Sequence, residues 1–495
     1  MIAEQKKGRA VVIGSGFGGL AAAIRTRAKG YETLLLEQRD KPGGRAYVYE
    51  DQGFTYDAGP TIVTVPFVLD ELAEVAGKRL ADYVDLVPCD PFYRIYFNDG
   101  RVFDYRGDQE SLEKEIAKFN PADVEGYRRF QTYSRRVFDR AFTDLAGHSF
   151  HSVWEMAKVA PDLIRLRAEQ SVFKRVGQFI KDPALRQVFT FEPLLIGGNP
   201  LRSSSIYSMI HYLEKTWGVH FAMGGTGALV RGLVRLFEDI GGELRLNSRV
   251  EEIEVERGAV SAVRVGDERI PCDLVISNGD VANTYRKLIK PQHRRKWTDR
   301  RLERMRYAMS LFVIYFGTDR TYPHLPHHSI VLGSRYEELL GDIFDRRIVA
   351  EDFSLYLHAP TRTDPSLAPP GCECFYVLSP VPNLAGGQDW DTIKEEYADR
   401  ILASLEKEHL VPDLRKHLVS KRIFTPKDFE NERILDAYQG SAFQFEPILT
   451  QSAWFRPHNR SEDVKNLYFV GAGTHPGAGM PGVISSAKVL DNFIH

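Results

Sequence analysis

The 495-residue sequence predicts an α/β fold of two or three lobes, because a chain this long exceeds one ordinary hydrophobic core. Two short apolar runs that end in glycine clusters, Val11 to Ile13 near the start and Leu467 to Val470 near the end, read as buried parallel strands. Between them, residues 301–450 hold strand-like runs separated by proline-rich turns, whereas 106–224 are mainly helical in pattern. The expected organisation is a Rossmann-like domain built from the discontinuous segments 1–105, 225–300 and 451–495, a helical region at 106–224 and a sheet-based lobe at 301–450.

The first strand runs into Gly14-Ser15-Gly16-Phe17-Gly18-Gly19, where missing side chains let the backbone turn sharply and approach a pyrophosphate. Leu20, Ala23, Ile24 and Ala28 then recur at helical spacing, and Gly30 stands where a C-terminal cap is wanted. The start of that helix would face the phosphates, since its unpaired N–H groups and its dipole favour negative charge. Thr33 to Leu36 make a second strand that ends at Glu37, whose carboxylate can accept from ribose hydroxyls and would repel a 2′-phosphate. NADP is therefore disfavoured. Gly43, Gly44 and Arg45 add a second bare stretch of backbone and a cation, which an extended FAD needs along its diphosphate and beneath its ring. The pattern favours FAD over NAD.

Composition narrows the rest. A net charge of −2 argues against a general nucleic-acid binder. Cys89, Cys272, Cys372 and Cys374 are too scattered for a disulfide framework, and Cys372-x-Cys374 lacks a second ligand pair for zinc, so a reducing cytoplasm is expected. His324, His327 and His328 sit in a proline loop without a carboxylate or cysteine partner of recognisable spacing, and no metal is expected. The polar start, Met1 to Arg9, leads to the expectation of no signal peptide, and no apolar run is long enough for a spanning helix.

Along the middle, Gly53 to Pro66 reads as a strand and a glycine-proline loop, fit either to lie near a flavin ring or to be an ordinary turn. Strands follow at Tyr93 to Phe97 and Val102 to Tyr105, turned at Asn98-Asp99-Gly100, where the chain is expected to leave the nucleotide domain. Between Arg128 and Arg186, twelve Arg and Lys stand against six Asp and Glu. There Val172, Phe173, Val176, Phe179 and Ile180 share one side of an expected helix, with Lys174, Arg175, Gln178 and Lys181 opposite, suited either to a lipid interface or to the protein's own core. A second basic stretch, Arg286 to Arg306, reads most simply as a solvated face. A helix opens at Gly224-Gly225-Thr226-Gly227 and stops at Gly241-Gly242. Asn247 to Ile253 looks like a strand whose Val250 backbone could meet adenine, and Cys272 to Asn278 like another ending nearby. In the last lobe, Leu311 to Gly317, Ser329 to Leu332, Phe353 to His358 and Phe375 to Pro380 are strand-like.

Near the C-terminus, Asn466 to Val483 reads as a strand, a glycine loop (Gly471, Gly473, Gly477, Gly479, Gly482) and a helix from about Ile484. Backbone N–H groups at that helix start are suited to a flavin's polar edge. This segment, with the N-terminal glycine motif, Glu37 and Gly43-Gly44-Arg45, resembles the bacterial and fungal type phytoene desaturases, carotenoid-forming flavoproteins of the amine-oxidase-like FAD superfamily. The likeness includes Gly224 to Val230 and Gln451 to Asn459 and runs the whole chain. The C-terminal motif is particular to carotenoid desaturases and their near relatives, whereas the N-terminal one is shared by the superfamily. The resemblance implies an amine-oxidase-like flavoprotein fold, FAD, peripheral membrane association and successive desaturation of phytoene toward lycopene.

Converting CH₂–CH₂ to CH=CH removes a hydride, which oxidised flavin accepts, and a proton, which leaves elsewhere. Among ionisable residues near the expected flavin, His475 is the first candidate for that proton and Asp57 a second. A forty-carbon hydrocarbon, at about 0.8 kcal/mol per buried CH₂, would cost roughly 30 kcal/mol to expose to water, so phytoene and its partly desaturated products should be drawn from an anionic membrane surface. With Glu37 given to the FAD ribose and no second strand–glycine–helix motif, oxygen or a quinone is the expected electron acceptor. The rival readings are a desaturase, isomerase or saturase of a related polyene, and a non-catalytic FAD-bearing lipid carrier.

Overall fold

The strand Lys7–Ile13 is the middle of a five-stranded parallel sheet ordered Glu243–Arg245, Tyr31–Leu36, Lys7–Ile13, Leu274–Ser277 and Leu467–Phe469. The computed structural model describes residues 7–407 and 410–495; residues 1–6, part of the stretch behind the signal-peptide expectation, and 408–409 lie outside the described residues. The sheet is buried on both faces, which is why its strands read as apolar runs and not as alternating ones. Ala10, Val12, Leu35 and Ile276 pack under the helices Phe17–Ala28, Gly225–Asp239 and Met480–Val489. Val11, Leu34, Leu36 and Val275 face the other way, onto Ile253 and Val263 of a small antiparallel sheet and onto Trp297.

A second sheet of seven strands runs Leu418–Phe424, Ser310–Thr318, Glu373–Val381, Leu355–His358, His328–Leu332, Tyr93–Phe97 and Val102–Tyr105. The hairpin Tyr93 to Tyr105 was expected at the end of the nucleotide-binding segment; it instead extends this sheet, Tyr93–Phe97 pairing in parallel with His328–Leu332. Local strand signals give no partner, so the sheet to which a hairpin belongs is set by tertiary pairing. Along Ser310–Thr318 the side chains alternate. Phe312, Ile314 and Phe316 pack with Trp390 and Tyr397 of the helix Trp390–Lys407, while Val313 and Tyr315 join the opposite core.

The helical region contains Asp123–Phe138 packed against Met209–Trp217, but it corrects one expectation. The helix at 172 is a single short turn, Val172–Val176, and Val172, Val176 and Ile180 lie wholly inside the protein, so this face does not meet lipid. The basic stretch from Arg286 is laced to acids, Arg286 to Glu303 at 3.0 Å, Lys287 to Asp436 at 2.8 Å and Lys296 to Glu462 at 2.7 Å, as a solvated face would be. Two further boundaries move. Residues 246–251 form a loop before the strand Glu252–Glu256, and the last helix starts at Met480 because proline at 481 is tolerated in a first turn.

Candidate active site

Gly14 takes a φ of +88° and donates its N–H to the Leu36 carbonyl at 2.7 Å, turning the chain at the end of the central strand. A Cβ on Gly19 would stand 1.9 Å from the Gly14 oxygen, so this glycine lets the helix pack on its strand. A Cβ on Gly16 would stand 2.9 Å from Asn278 Nδ2, and one on Gly18 would stand 2.6 Å from Asn278 Oδ1. Asn278 thus sits between the glycine turn and Gly471, a role its place after an apolar strand only hinted at. Gly14, Gly16, Phe17 and Gly18 line a cavity of about 830 Å³, together with Glu37, Gly44, Arg45, Val250, Gly471 and Val483. The helix behind them begins at Gly16 with no side-chain cap, leaving its first N–H groups open to an anion.

Ser15 stands behind the cradle. Its N–H and hydroxyl donate to Glu37 Oε2 at 2.9 and 2.6 Å, and the Arg39 N–H donates to Oε1 at 3.0 Å. These bonds fix the carboxylate at the cavity while leaving lone pairs for ribose hydroxyls. Gly473 does not line the cavity; a Cβ there would stand 1.9 Å from Gln444 Oε1, so its role is packing. Arg45 supplies the test of fit. Its Nε and Nη2, shut off from solvent, have no hydrogen-bond partner among the described residues, and burial lowers its pKa despite the nearby Asp280. A bound diphosphate and flavin would provide the missing acceptors, so the residues present suit FAD.

Neither catalytic candidate reaches this cavity. The Asp57 carboxylate accepts from the Thr226 and Gly227 N–H groups at 2.8 and 3.1 Å, capping the helix Gly225–Asp239; burial nevertheless pushes it up to about 6. The His475 ring turns toward the helical region, its Nε2 3.1 Å from the Leu145 carbonyl oxygen and its ring edge-on to Phe150, and burial pulls it down to about 4. Both residues hold structure together, and neither stands among the residues that line the cavity.

The far half of the cavity is apolar and aromatic, with Phe191, Leu194, Ile330, Leu332, Leu378 and Phe429 on its walls. Thr61, Tyr315, Tyr356 and Tyr376 also line it; the Thr61 hydroxyl lies 2.7 Å from the Tyr376 hydroxyl and 3.1 Å from that of Tyr356. Tyr356 continues to His328 Nδ1 at 2.7 Å. No cysteine stands at a recognisable sequence spacing from these histidines, but the fold brings Cys89 within 4.8 Å of His327 and His328. Burial pushes the Cys89 thiol up to about 12, so it stays protonated, and His327 is already engaged, Nδ1 with Thr363 at 2.6 Å and Nε2 with His358 at 2.9 Å. Two fully buried acids stand at another part of the wall, Glu214 among the lining residues and Glu192 behind it. Glu214 Oε1 accepts from the Tyr93 hydroxyl at 2.6 Å, whereas neither oxygen of Glu192 has a partner among the described residues. Burial pushes both carboxyls up, Glu214 to about 8.

The model of the flavin containing amine oxidoreductase family matches residues 17–489. The lycopene-forming phytoene desaturase of Pseudescherichia vulneris is 55% identical over 488 residues, which cover 98% of this chain and 99% of that one. Its counterpart in Pantoea ananas is 53% identical over 479 residues, covering 96% and 97%. Among solved structures, cyclohexylamine oxidase from Brevibacterium oxydans IH-35A superposes with a TM-score of 0.62 over 98% of both chains at 14% identity, a likeness of fold alone.

Proposed function

The chain belongs to the flavin-containing amine oxidoreductases and, within them, to the carotenoid desaturases, and from that premise we propose that it desaturates phytoene in successive FAD-dependent steps toward lycopene. The observation that carries the reading is one continuous cavity lined both by the glycine cradle and by a set of apolar and aromatic side chains. Bound FAD supplies a two-electron acceptor for the hydride. The chain does the rest. Gly16 and Gly18, beside Asn278, would let the diphosphate approach the open helix terminus, Glu37 would hold the ribose and Arg45 would neutralise charge. The walls align a polyene and exclude water, so that C–H bonds are presented in one geometry.

Peripheral binding to an anionic membrane is part of the same reading. The helix Val153–Arg165 turns Val153, Trp154 and Ile164 outward, the last two 74% and 67% exposed, and packs beside 453–455, where Phe455 is also exposed. Arg165 and Arg167 flank these residues on the surface. Clustered exposed apolar groups rimmed by cations suit a lipid interface. No helix among the described residues is long and apolar enough to cross a membrane. Oxygen or a quinone is the proposed electron acceptor. The test is incubation of the FAD-loaded protein with phytoene in liposomes. Absorption bands should move to longer wavelength with each added conjugated bond, ending at lycopene; unchanged phytoene bands would reject the reading.

A further inference from the structure

Each desaturation releases a proton into a chamber whose walls are mostly hydrocarbon, and that proton needs both an acceptor and a way out. We propose that Tyr356 takes the proton from the substrate and that His328, His358 and His327 relay it toward Thr363 at the surface. The inference rests on the desaturase reading and adds residues to it.

The geometry is a chain of contacts that begins at the cavity. Thr61, Tyr356 and Tyr376 line the chamber and share hydroxyl contacts of 2.7 and 3.1 Å through Thr61. They stand beside the cofactor end, because Tyr376 Oη lies 3.4 Å from the Gly59 carbonyl, and Gly59 packs so closely on Arg45 that a Cβ would stand 2.0 Å from the Arg45 oxygen. Behind them Tyr356 Oη meets His328 Nδ1 at 2.7 Å. His328 is paired across the strands with His358, their rings stacked at 5.4 Å, and His358 Nε2 meets His327 Nε2 at 2.9 Å. His327 Nδ1 then meets Thr363 Oγ1 at 2.6 Å, and Thr363 is half-buried. His328 Nε2 and His358 Nδ1, the two atoms between which the proton must pass, are buried and not hydrogen-bonded to each other, so this link closes only when one of the two stacked rings shifts.

The chemistry balances. One C–H bond breaks with its electron pair and leaves as hydride to the flavin, so the substrate becomes an allylic cation. The neighbouring C–H bond then breaks, its electrons form the new C=C bond, and its proton goes to Tyr356 Oη. As that bond forms, the Tyr356 hydroxyl proton moves to His328 Nδ1, and the Nε2 proton of His328 passes onward. A cation next to a C–H bond makes that hydrogen strongly acidic, so a neutral hydroxyl backed by an imidazole is base enough. The rings of Tyr315, Tyr356 and Tyr376, spaced 5.6 to 6.0 Å apart, offer π faces to the cation. Burial holds His328 and His358 well below the ordinary histidine range and His327 at about 3, so the relay rests neutral and passes its proton on.

Glu214 is the rival acceptor, and the structure disfavours it. It lines the cavity but has no exposed surface, and burial keeps it protonated with one oxygen committed to Tyr93, whereas Tyr356 and Tyr376 keep 7% and 5% of their surface open.

The test uses FAD-loaded protein with phytoene in liposomes, in anaerobic single turnovers that follow flavin bleaching, growth of the polyene bands and, with an indicator dye, proton release. Wild-type turnover first establishes desaturation, so failure there is failure of the functional reading. Tyr356→Phe should slow the growth of the polyene bands at least tenfold, so that it lags behind flavin bleaching, while flavin content and melting temperature stay at wild-type values. His327→Gln should delay the proton's appearance outside relative to growth of the polyene bands. Cys89→Ser should change neither rate. Polyene bands that grow at the wild-type rate in Tyr356→Phe, or undelayed proton release in His327→Gln, would overturn the proposal. So would stoichiometric metal in the purified protein that disappears in Cys89→Ser, since the histidines would then be metal ligands.

Discussion

Glu214→Gln gives a test that needs no substrate. The wild-type carboxyl is pushed up to about 8, mainly by burial, from an ordinary value of 4.5. Below the ordinary value both folded and unfolded chains carry the proton. Between the two values the folded chain keeps a proton that the unfolded chain has lost, so stability falls as pH rises through this window and levels off above it. Each pH unit there corresponds to about 1.4 kcal/mol. Glutamine keeps an oxygen for the Tyr93 hydroxyl and cannot ionise, so the variant escapes that loss. Glu192 still holds its own proton through burial. With an unfolding entropy of about 2.1 cal/mol/K per residue, 495 residues give about 1 kcal/mol/K, so Glu214→Gln should gain roughly 1.4 °C in Tm over wild type per pH unit. Scanning calorimetry from about pH 5.5 to about pH 7.5 should show the gap widening by roughly 3 °C. A gap that stays constant or narrows would refute the argument that Glu214 is buried protonated.

Gly16→Val places side-chain carbon where a Cβ already lies 2.9 Å from Asn278, and should abolish flavin binding, read as loss of yellow absorbance from folded protein. Arg45→Met removes a charge-assisted contact of about 1.5–3 kcal/mol and should raise the flavin Kd about 10- to 150-fold in a fluorescence titration. The paired substitution Trp154→Glu and Ile164→Glu should reduce flotation with anionic liposomes, and in the wild type added salt should weaken the same binding.

The parts of this protein that can be read from sequence are those in which local pattern and tertiary role coincide. Val11 to Ile13 and Leu467 to Phe469 are apolar because their sheet is covered on both faces, and Gly14, Gly16, Gly18 and Glu37 line the cavity where their spacing placed them, whereas Ser15, Gly19 and Gly473 pack behind it. Cavity-facing Val313 and Tyr315 alternate with Ile314 and Phe316, which gave the strand but not the face that meets substrate. Side-chain direction was the hidden variable. Asp57 and His475 lie in glycine-rich stretches of the expected kind, yet one caps a helix and the other locks onto Leu145. Asn278 carried no signal beyond its place after a strand. The assembly of Tyr356, His328 and His358 joins strands that pair only once the second sheet forms.

Anaerobic single turnover of the FAD-loaded protein with phytoene in liposomes tests the central claim most directly. One flavin should bleach for each double bond gained, with the polyene bands growing at the same rate and no nicotinamide dinucleotide present. Polyene bands that grow while the flavin stays oxidised, or that appear only when NAD⁺ or NADP⁺ is supplied, would contradict the account.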